Sequence, residues 1–317
     1  MSAPFKVGIM GAGRIAQGFD SPGSEGVLTL AHAVQKIPEL QLAGFYDRVP
    51  DRAEAAERKW GCPSSPRGRE TWLDQGWDMV LIATPDECHV SDFESVLQRK
   101  PKAVLVEKPF ASSAVEAERL TVAARDLSTA VLVNYPRRMH TAVQEVRRLF
   151  TANQLGIPRR IHATCSGGVR HNGVHLLDLV ATWIPIVTSV RLVVKQGDAA
   201  WFSIATEQGP LELILCASPQ QGCYVFDLRI DTDSARVDVC ESPEVLRIRR
   251  PAPQPNYPSF QALQTEKVWS MENEPLLVQM LAHLYALTGD PQAARMQLAM
   301  ELDREHFFGA VLQHFEN

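Results

Sequence analysis

Three groups of residues in this chain have types and spacing suited to chemistry. The first is Val7-Gly-Ile-Met-Gly-Ala-Gly-Arg-Ile-Ala16, where Gly11, Gly13 and Ala16 make a GxGxxA string behind a short apolar run. In such a turn the first glycine permits a tight reversal and the second lets a pyrophosphate approach the backbone. The small third residue lets helix and strand pack closely. The second group is Val106-Glu107-Lys108-Pro109, an ammonium directly after an apolar run, read either as a reacting cation or as an ordinary surface lysine. The third is Gly167-Gly-Val-Arg-His171-Asn172-Gly-Val-His175-Leu-Leu-Asp178, a turn followed by a helix. His175 and Asp178 share a helix face, with His171 at its entrance. A histidine near a helix N-terminus has its protonated form disfavoured, and a neutral imidazole suits a general base. The competing reading makes these histidines part of a helix cap or the core. Two histidines and a carboxylate also fit a metal, but there is no HExxH and no second acidic cluster, so no metal is assigned.

Such groups need a scaffold that aims them at one place, and the apolar pattern supplies one. Phe5 to Met10, Leu40 to Tyr46, Met79 to Ala83, Ala103 to Val106 and Ala130 to Val133 are short, predominantly apolar runs. Stretches of helical composition, such as Asp51 to Lys59 and Ala114 to Arg125, lie between them. Strands apolar on both faces belong to a parallel sheet covered by helices, so the sequence predicts a doubly wound α/β domain over residues 1–135. Ligands bind beyond the carboxyl ends of such strands. The tips Asp47-Arg48, Thr84-Pro85, Glu107-Lys108 and Asn134-Tyr135 are therefore expected to line one crevice. Asp47, ending the second strand, is placed to accept from adenosine ribose hydroxyls or to cap the helix near Asp51; Arg48 beside it leaves room for a 2′-phosphate. Asp47 lies farther from Gly11 than the ~20 residues usual for this fingerprint, and the excess is assigned to a loop, Phe19 to Gly26.

Residues 136–317 read as an α+β domain. A helix over Thr141 to Asn153 precedes candidate strands Arg191 to Lys195, Trp201 to Thr206, Leu211 to Cys216, Tyr224 to Ile230, Arg236 to Cys240 and Val245 to Ile248. Turn signals at Gly209-Pro210, Ser218-Pro219 and Asp231-Thr-Asp-Ser separate them, which predicts an antiparallel sheet. Pro251 to Pro258 reads as a Pro-rich connector, followed by helices near Pro275 to Leu287 and Pro291 to His314. The last helix is expected to pack back on the first domain.

Composition narrows the function. With 317 residues, 45% hydrophobic and 22% charged, the chain can bury a core without staples. Lys plus Arg is 32 against 37 for Asp plus Glu, a net charge of −5, which offers no footprint for nucleic acid. The six cysteines lie apart without a CxxC pair and read as reduced thiols. No room for a leader precedes Phe5, and Val174 to Val194 is broken by Asp178, Pro185 and Arg191. The expectation is a soluble, cytoplasmic protein without a membrane segment.

Taken in order, GAGRIA (Gly11 to Ala16), the Asp47 tip, TPDECH (Thr84 to His89), EKP (Glu107 to Pro109), NYPRR (Asn134 to Arg138) and GGVRHNGVHLLD (Gly167 to Asp178) resemble the Gfo/Idh/MocA family of oxidoreductases. The resemblance covers roughly the first 190 residues well. It implies an N-terminal Rossmann domain and a C-terminal α+β domain with a large open, mostly antiparallel sheet, through which a homodimer or homotetramer would form. It implies NAD, with NADP as the alternative, held by Gly11, Gly13, Arg14, Ile15, Asp47, Arg48, Thr84, Pro85, His89 and Glu107. Lys108 would hold the reacting oxygen and steer its proton. His175 would be the general acid or base, with hydride passing between a substrate carbon and nicotinamide C4. Tyr135, Arg138, His171, Asn172 and Asp178 would face a sugar-like substrate. The family pattern before the catalytic histidine is Asp-x-Gly-x-His, whereas here His171 stands in the aspartate's place; the departure marks either a subgroup binding sugar hydroxyls or altered chemistry. The Asp20 to Ala33 loop and the HNGVH string resemble members acting on sugars of surface polysaccharides, and Arg138 and Arg170 suit an anionic or nucleotide-linked sugar. The implied activity is interconversion of a secondary alcohol and a ketone. Two rivals are a dinucleotide-binding sensor without net chemistry and a lyase or glycosidase that oxidises its substrate transiently.

Overall fold

The computed structural model describes residues 3–111, 113–184, 187–218, 222–240, 244–254 and 256–315. Pro185, Pro219 of the Ser218-Pro219 turn and Pro255 lie outside the described residues. Two compact units emerge, one from residues up to Pro136 together with Pro275–Glu305, the other from Arg137–Glu274 and residues from His306 onward.

The first unit is built on five parallel strands, β1 (Phe5–Met10), β2 (Leu40–Tyr46), β3 (Met79–Ile82), β4 (Ala103–Val106) and β5 (Ala130–Val133), in the order β2-β1-β3-β4-β5. Val7, Ile9, Met79, Leu81, Val104, Val131 and Val133 are wholly buried. Each such side chain contributes roughly 1.5–3 kcal/mol of burial, which is why the apolar runs locate these strands so closely. Helices α1 (Leu30–Gln35), α2 (Pro50–Trp60), α3 (Arg69–Leu73), α4 (His89–Leu97) and α5 (Ala114–Asp126) connect them. The chain steps from β1 to β2 on one side and then back across to β3 on the other, leaving a topological switch point between the tips of β1 and β3.

The glycine turn does not open a long helix. It is followed by one wide helical turn, Arg14–Gly18, then by a loop that Asp20 organises. The Asp20 carboxylate accepts from the Leu28 amide at 2.6 Å, the Thr29 hydroxyl at 2.5 Å and His32 Nδ1 at 2.9 Å, and Thr29 caps α1. The extra length between Gly11 and Asp47 is thus an ordered structure pinned by a buried carboxylate.

In the second unit, α6 (Thr141–Thr151) and α7 (Val174–Trp183) accompany an eight-stranded sheet. Its strands are β6 (Pro158–Cys165), β7 (Val187–Gln196), β8 (Ala199–Thr206), β9 (Gly209–Ala217), β10 (Phe226–Thr232), β11 (Arg236–Cys240), β12 (Val245–Gln254) and β13 (Tyr257–Ser270). Their order is β13-β12-β11-β10-β6-β9-β8-β7. The sheet is mostly antiparallel, as the resemblance implied, with one parallel pairing between β6 and β9. The Pro-rich connector is corrected: Pro251 and Pro253 lie in β12, opposite Leu263 and Gln261 of β13. β11 pairs with β12 only as far as Arg249, so beyond that point β12 has one neighbour and a proline without an N–H is tolerated. α8 (Leu276–Leu287) packs on α1, β4 and β5 of the first unit, with Tyr285 edge-on to Phe5. α9 (Pro291–Leu312) supplies residues to both units. Among the described residues no helix is long and apolar enough to cross a membrane.

Candidate active site

At the switch point the backbone itself shapes the crevice. Gly11 has φ +97°, and a Cβ there would stand 2.4 Å from the Ala83 carbonyl oxygen, so only glycine fits between the tips of β1 and β3. At Gly13 a Cβ would meet nothing within 4 Å, leaving its backbone open to a bulky group. Asp47 Oδ2 accepts from the Ala12 amide at 2.9 Å and its Oδ1 from the Val49 amide at 2.8 Å. The carboxylate therefore ties the glycine turn to the tip of β2; it is not a cap for α2, whose N-cap makes no side-chain bond. Each of its oxygens retains acceptor capacity for a ribose hydroxyl.

Gly11, Gly13, Asp47, Arg48, Thr84 and Pro85 line one cavity of about 640 Å³, within the size range of small-molecule sites. Arg52, Arg69 and Ser91 line it as well and were not singled out from the sequence. Arg69 is fixed by Asp92 at 2.8 Å and Ser95 at 3.0 Å. Thr84 Oγ1 is buried in this wall without a hydrogen-bond partner among the described residues, as befits a hydroxyl meant for a ligand. The open cradle at Gly13, the Asp47 carboxylate and the Thr84 hydroxyl together fit a dinucleotide. Arg14, Ile15, His89 and Glu107, also expected on the cofactor side, are not among the residues lining this cavity.

Along the same carboxyl edge, β4 delivers Glu107 and Lys108. Asn134 Nδ2, at the end of β5, donates to Glu107 Oε1 at 2.5 Å. Burial pushes the Glu107 carboxyl up, against the pull of that hydrogen bond and of the charges on Lys108 and His89. Burial also pushes the Lys108 ammonium below its usual range, opposed by Glu107 and Asp86. His89 is fully buried, its Nδ1 2.7 Å from the Pro109 carbonyl oxygen and its Nε2 2.9 Å from that of Thr84. Tyr135 is buried at the end of the same strand as Asn134.

The second unit holds the remaining candidates. Beyond β6 the chain turns through Gly167 and Gly168, both with positive φ, into a wide turn, Val169–Gly173, and then α7. His171 is exposed and His175 half-buried. Asn172 Nδ2 donates to the Ser166 carbonyl at 2.7 Å, so this amide helps to hold the turn. Arg138 and Asp178 are both buried and form an ion pair, Nη1 to Oδ1 at 3.7 Å. Sequence reasoning missed a neighbouring cluster. Arg137 grips Glu244 at 2.6 Å and meets the Tyr224 hydroxyl at 3.0 Å, and that hydroxyl donates to Glu244 at 2.5 Å. Burial pushes the Tyr224 phenol up to about 12. Burial would raise the Glu244 carboxyl too, but the Arg137 bonds and charge hold it below its ordinary value. The doubled arginine of NYPRR was the available signal; Tyr224 and Glu244 sit in segments without a motif.

Residues 5–135 match GFO_IDH_MocA, described as an oxidoreductase family with an NAD-binding Rossmann fold. Glucose-6-phosphate 3-dehydrogenase of Bacillus subtilis is 28% identical over 199 residues, 55% of this chain and 52% of that protein. UDP-N-acetylglucosamine 3-dehydrogenase of Acidithiobacillus ferrooxidans is 28% identical over 132 residues, 42% of this chain and 40% of that protein. The chain thus spans about half the length of the curated relatives it matches. Among solved structures, KijD10, a 3-ketoreductase from Actinomadura kijaniata in complex with NADP and TDP-benzene, shares the fold. Its TM-score is 0.74 at 17% identity, over 98% of this chain and 97% of that one.

Proposed function

With residues 5–135 belonging to the Gfo/Idh/MocA oxidoreductases, we propose that the whole chain is an NAD(P)-dependent dehydrogenase interconverting a secondary alcohol and a ketone on a sugar, nucleotide-linked sugar or cyclitol. The observation that carries this reading is Lys108. It follows β4 on the same carboxyl edge as the glycine cradle, and burial has made its ammonium a better proton donor than an ordinary lysine.

The cradle of Gly11 and Gly13, the Asp47 carboxylate and the Thr84 hydroxyl would hold the dinucleotide; Asp47 favours NAD and the Arg48 guanidinium leaves NADP open. A bound nicotinamide supplies the hydride exchange with the substrate carbon. Lys108 would orient and polarise the substrate oxygen, and His175 would take the hydroxyl proton during oxidation and return it during reduction. One hydride and one proton leave the alcohol together, so the step balances. His171, Asn172, Tyr135, Arg138 and Asp178 would serve the substrate side, the last two tied to each other by an ion pair. The sugar substrates named for the relatives support a sugar-like substrate here, and subunits would associate through the eight-stranded sheet.

The test is Lys108→Ala, assayed over a panel of sugar phosphates, nucleotide sugars and cyclitols. Turnover should fall about 10²- to 10⁴-fold, with NADH affinity by fluorescence titration essentially retained. Unchanged turnover removes Lys108 from the mechanism. A wild-type protein that binds NADH but turns over no member of the panel favours the sensor reading instead.

A further inference from the structure

We propose that Tyr224 is a fixed aromatic platform for the sugar ring of the substrate, a specificity-determining residue that receives the apolar C–H face of a pyranose. This role rests on the reading of the glycine turn before α7 as the substrate side. The residues that build the platform all lie in the second unit.

β6 and β10 are antiparallel, with Cys165 opposite Phe226, and their pairing runs one step further. The Ser166 amide donates to the Val225 carbonyl and the Val225 amide to the Ser166 hydroxyl, each at 2.9 Å. Continued by one more residue, this register sets Tyr224 across from Gly167, where the turn that carries His171 and Asn172 begins. The Tyr224 ring stacks on that of Phe226, with 6.4 Å between centroids and 8° between planes. Phe226 is buried, whereas Tyr224 is 49% exposed. Tyr224 is thus the point where a buried aromatic face emerges into solvent beside the turn.

Its hydroxyl is already committed, donating to Glu244 at 2.5 Å and accepting from Arg137 at 3.0 Å. What the residue keeps for a ligand is the face of its ring, whose negative quadrupole attracts the weakly positive C–H groups of a sugar. The phenol is not needed to join Arg137 to Glu244, which hold each other directly through Nε at 3.0 Å and Nη2 at 2.6 Å. Arg137 is braced in turn by Phe226, its guanidinium carbon 4.3 Å from the ring centroid. The ion pair therefore acts on the phenol, holding in one orientation an exposed side chain that would otherwise turn freely. A ring fixed before binding loses less freedom when the ligand arrives.

The probes are glucose 6-phosphate, UDP-glucose and methyl β-D-glucopyranoside, each with the full chain. Tyr224→Leu should raise KM for the best substrate among them about tenfold, with kcat and NADH affinity retained, while Tyr224→Phe stays within about threefold of wild type. In saturation-transfer NMR with NADH bound, irradiation of the aromatic protons should reach the C–H protons along one face of the sugar. In a chain made with ring-deuterated tyrosine that transfer should weaken, and it should return in Tyr224→Phe. This second readout needs neither turnover nor a leucine variant that folds. An unchanged KM in Tyr224→Leu, equal losses in the leucine and phenylalanine variants, or transfer indifferent to the deuterated tyrosine overturns the platform. A chain that binds none of the three sugars does so as well. If Lys108→Ala keeps full turnover, the dehydrogenase reading fails while the saturation-transfer result stands.

Discussion

Gly11 and Gly13 belong to one motif yet answer to different constraints, and single methyl groups separate them. At Gly11 an added Cβ meets the Ala83 carbonyl and the φ of +97° disfavours any side chain, so the strain alone costs about 1–3 kcal/mol before the clash is counted. At Gly13 the same methyl meets nothing within 4 Å, and the loss of backbone freedom in the unfolded chain is slightly stabilising. Gly11→Ala should therefore lower the melting temperature and NADH binding together. Gly13→Ala should hold or raise the melting temperature while weakening NADH binding by about tenfold or more, some 1.4 kcal/mol. Equal thermal losses in the two variants would contradict this division. These roles were legible in the sequence because backbone geometry follows from a glycine string at a strand end. The partnerships of Asp47, Arg138 and Asp178 were not: whether a carboxylate faces a ligand, an amide or an arginine depends on side chains distant in the chain, and no local pattern encodes that.

The same contrast governs the elements. β4 and β5 fall where their apolar runs begin and end, because a strand buried on both faces must be apolar throughout. β6 (PRRIHATC) escaped notice because a strand with one wet face needs apolar residues only at alternate positions and it carries Arg and His on the other, and β13 (YPSFQALQTEKVWS) because none of its described residues is buried and no apolar pattern marks it. Side chains also lock elements together, and Glu57 on α2 is the clearest case. It is buried, and its carboxylate accepts from the Ser65 amide and hydroxyl and from Arg67. Burial alone would raise its carboxyl, but these bonds outweigh that and hold it below the ordinary 4.5. A lowered folded value means that the stabilisation is fully present above pH 4.5 and is lost as pH falls through the folded value. Glu57→Gln should cost about 1.5–3 kcal/mol at neutral pH. Denaturant titrations should show that deficit shrinking as the pH drops below about 4.5; a deficit constant down to about pH 3 would mean that the charge of Glu57 contributes nothing.

At the scale of the whole molecule, the outer face of the eight-stranded sheet bears on how subunits would meet. Register places one transverse row across all eight strands: Val194, Trp201, Ile214, His162, Arg229, Asp238, Arg247 and Val268. All lie on the side opposite the buried set of Phe202, Leu213, Leu228, Val237 and Ile248. The row is apolar at both ends, with Val194, Trp201 and Val268 exposed at 52%, 38% and 57%, and mixed in charge at its centre. A two-fold interface must be complementary to itself, and a surface that carries both signs between apolar ends can meet a rotated copy without stacking like charges. The wild-type protein should sediment as a dimer or tetramer. Trp201→Glu, which adds a charge at one apolar end and leaves the buried face untouched, should shift the equilibrium to monomer without changing the circular dichroism spectrum. A wild-type monomer at tens of micromolar, or a Trp201→Glu protein that associates as tightly as its parent, would assign this face to solvent and leave the mixed row as a surface feature alone.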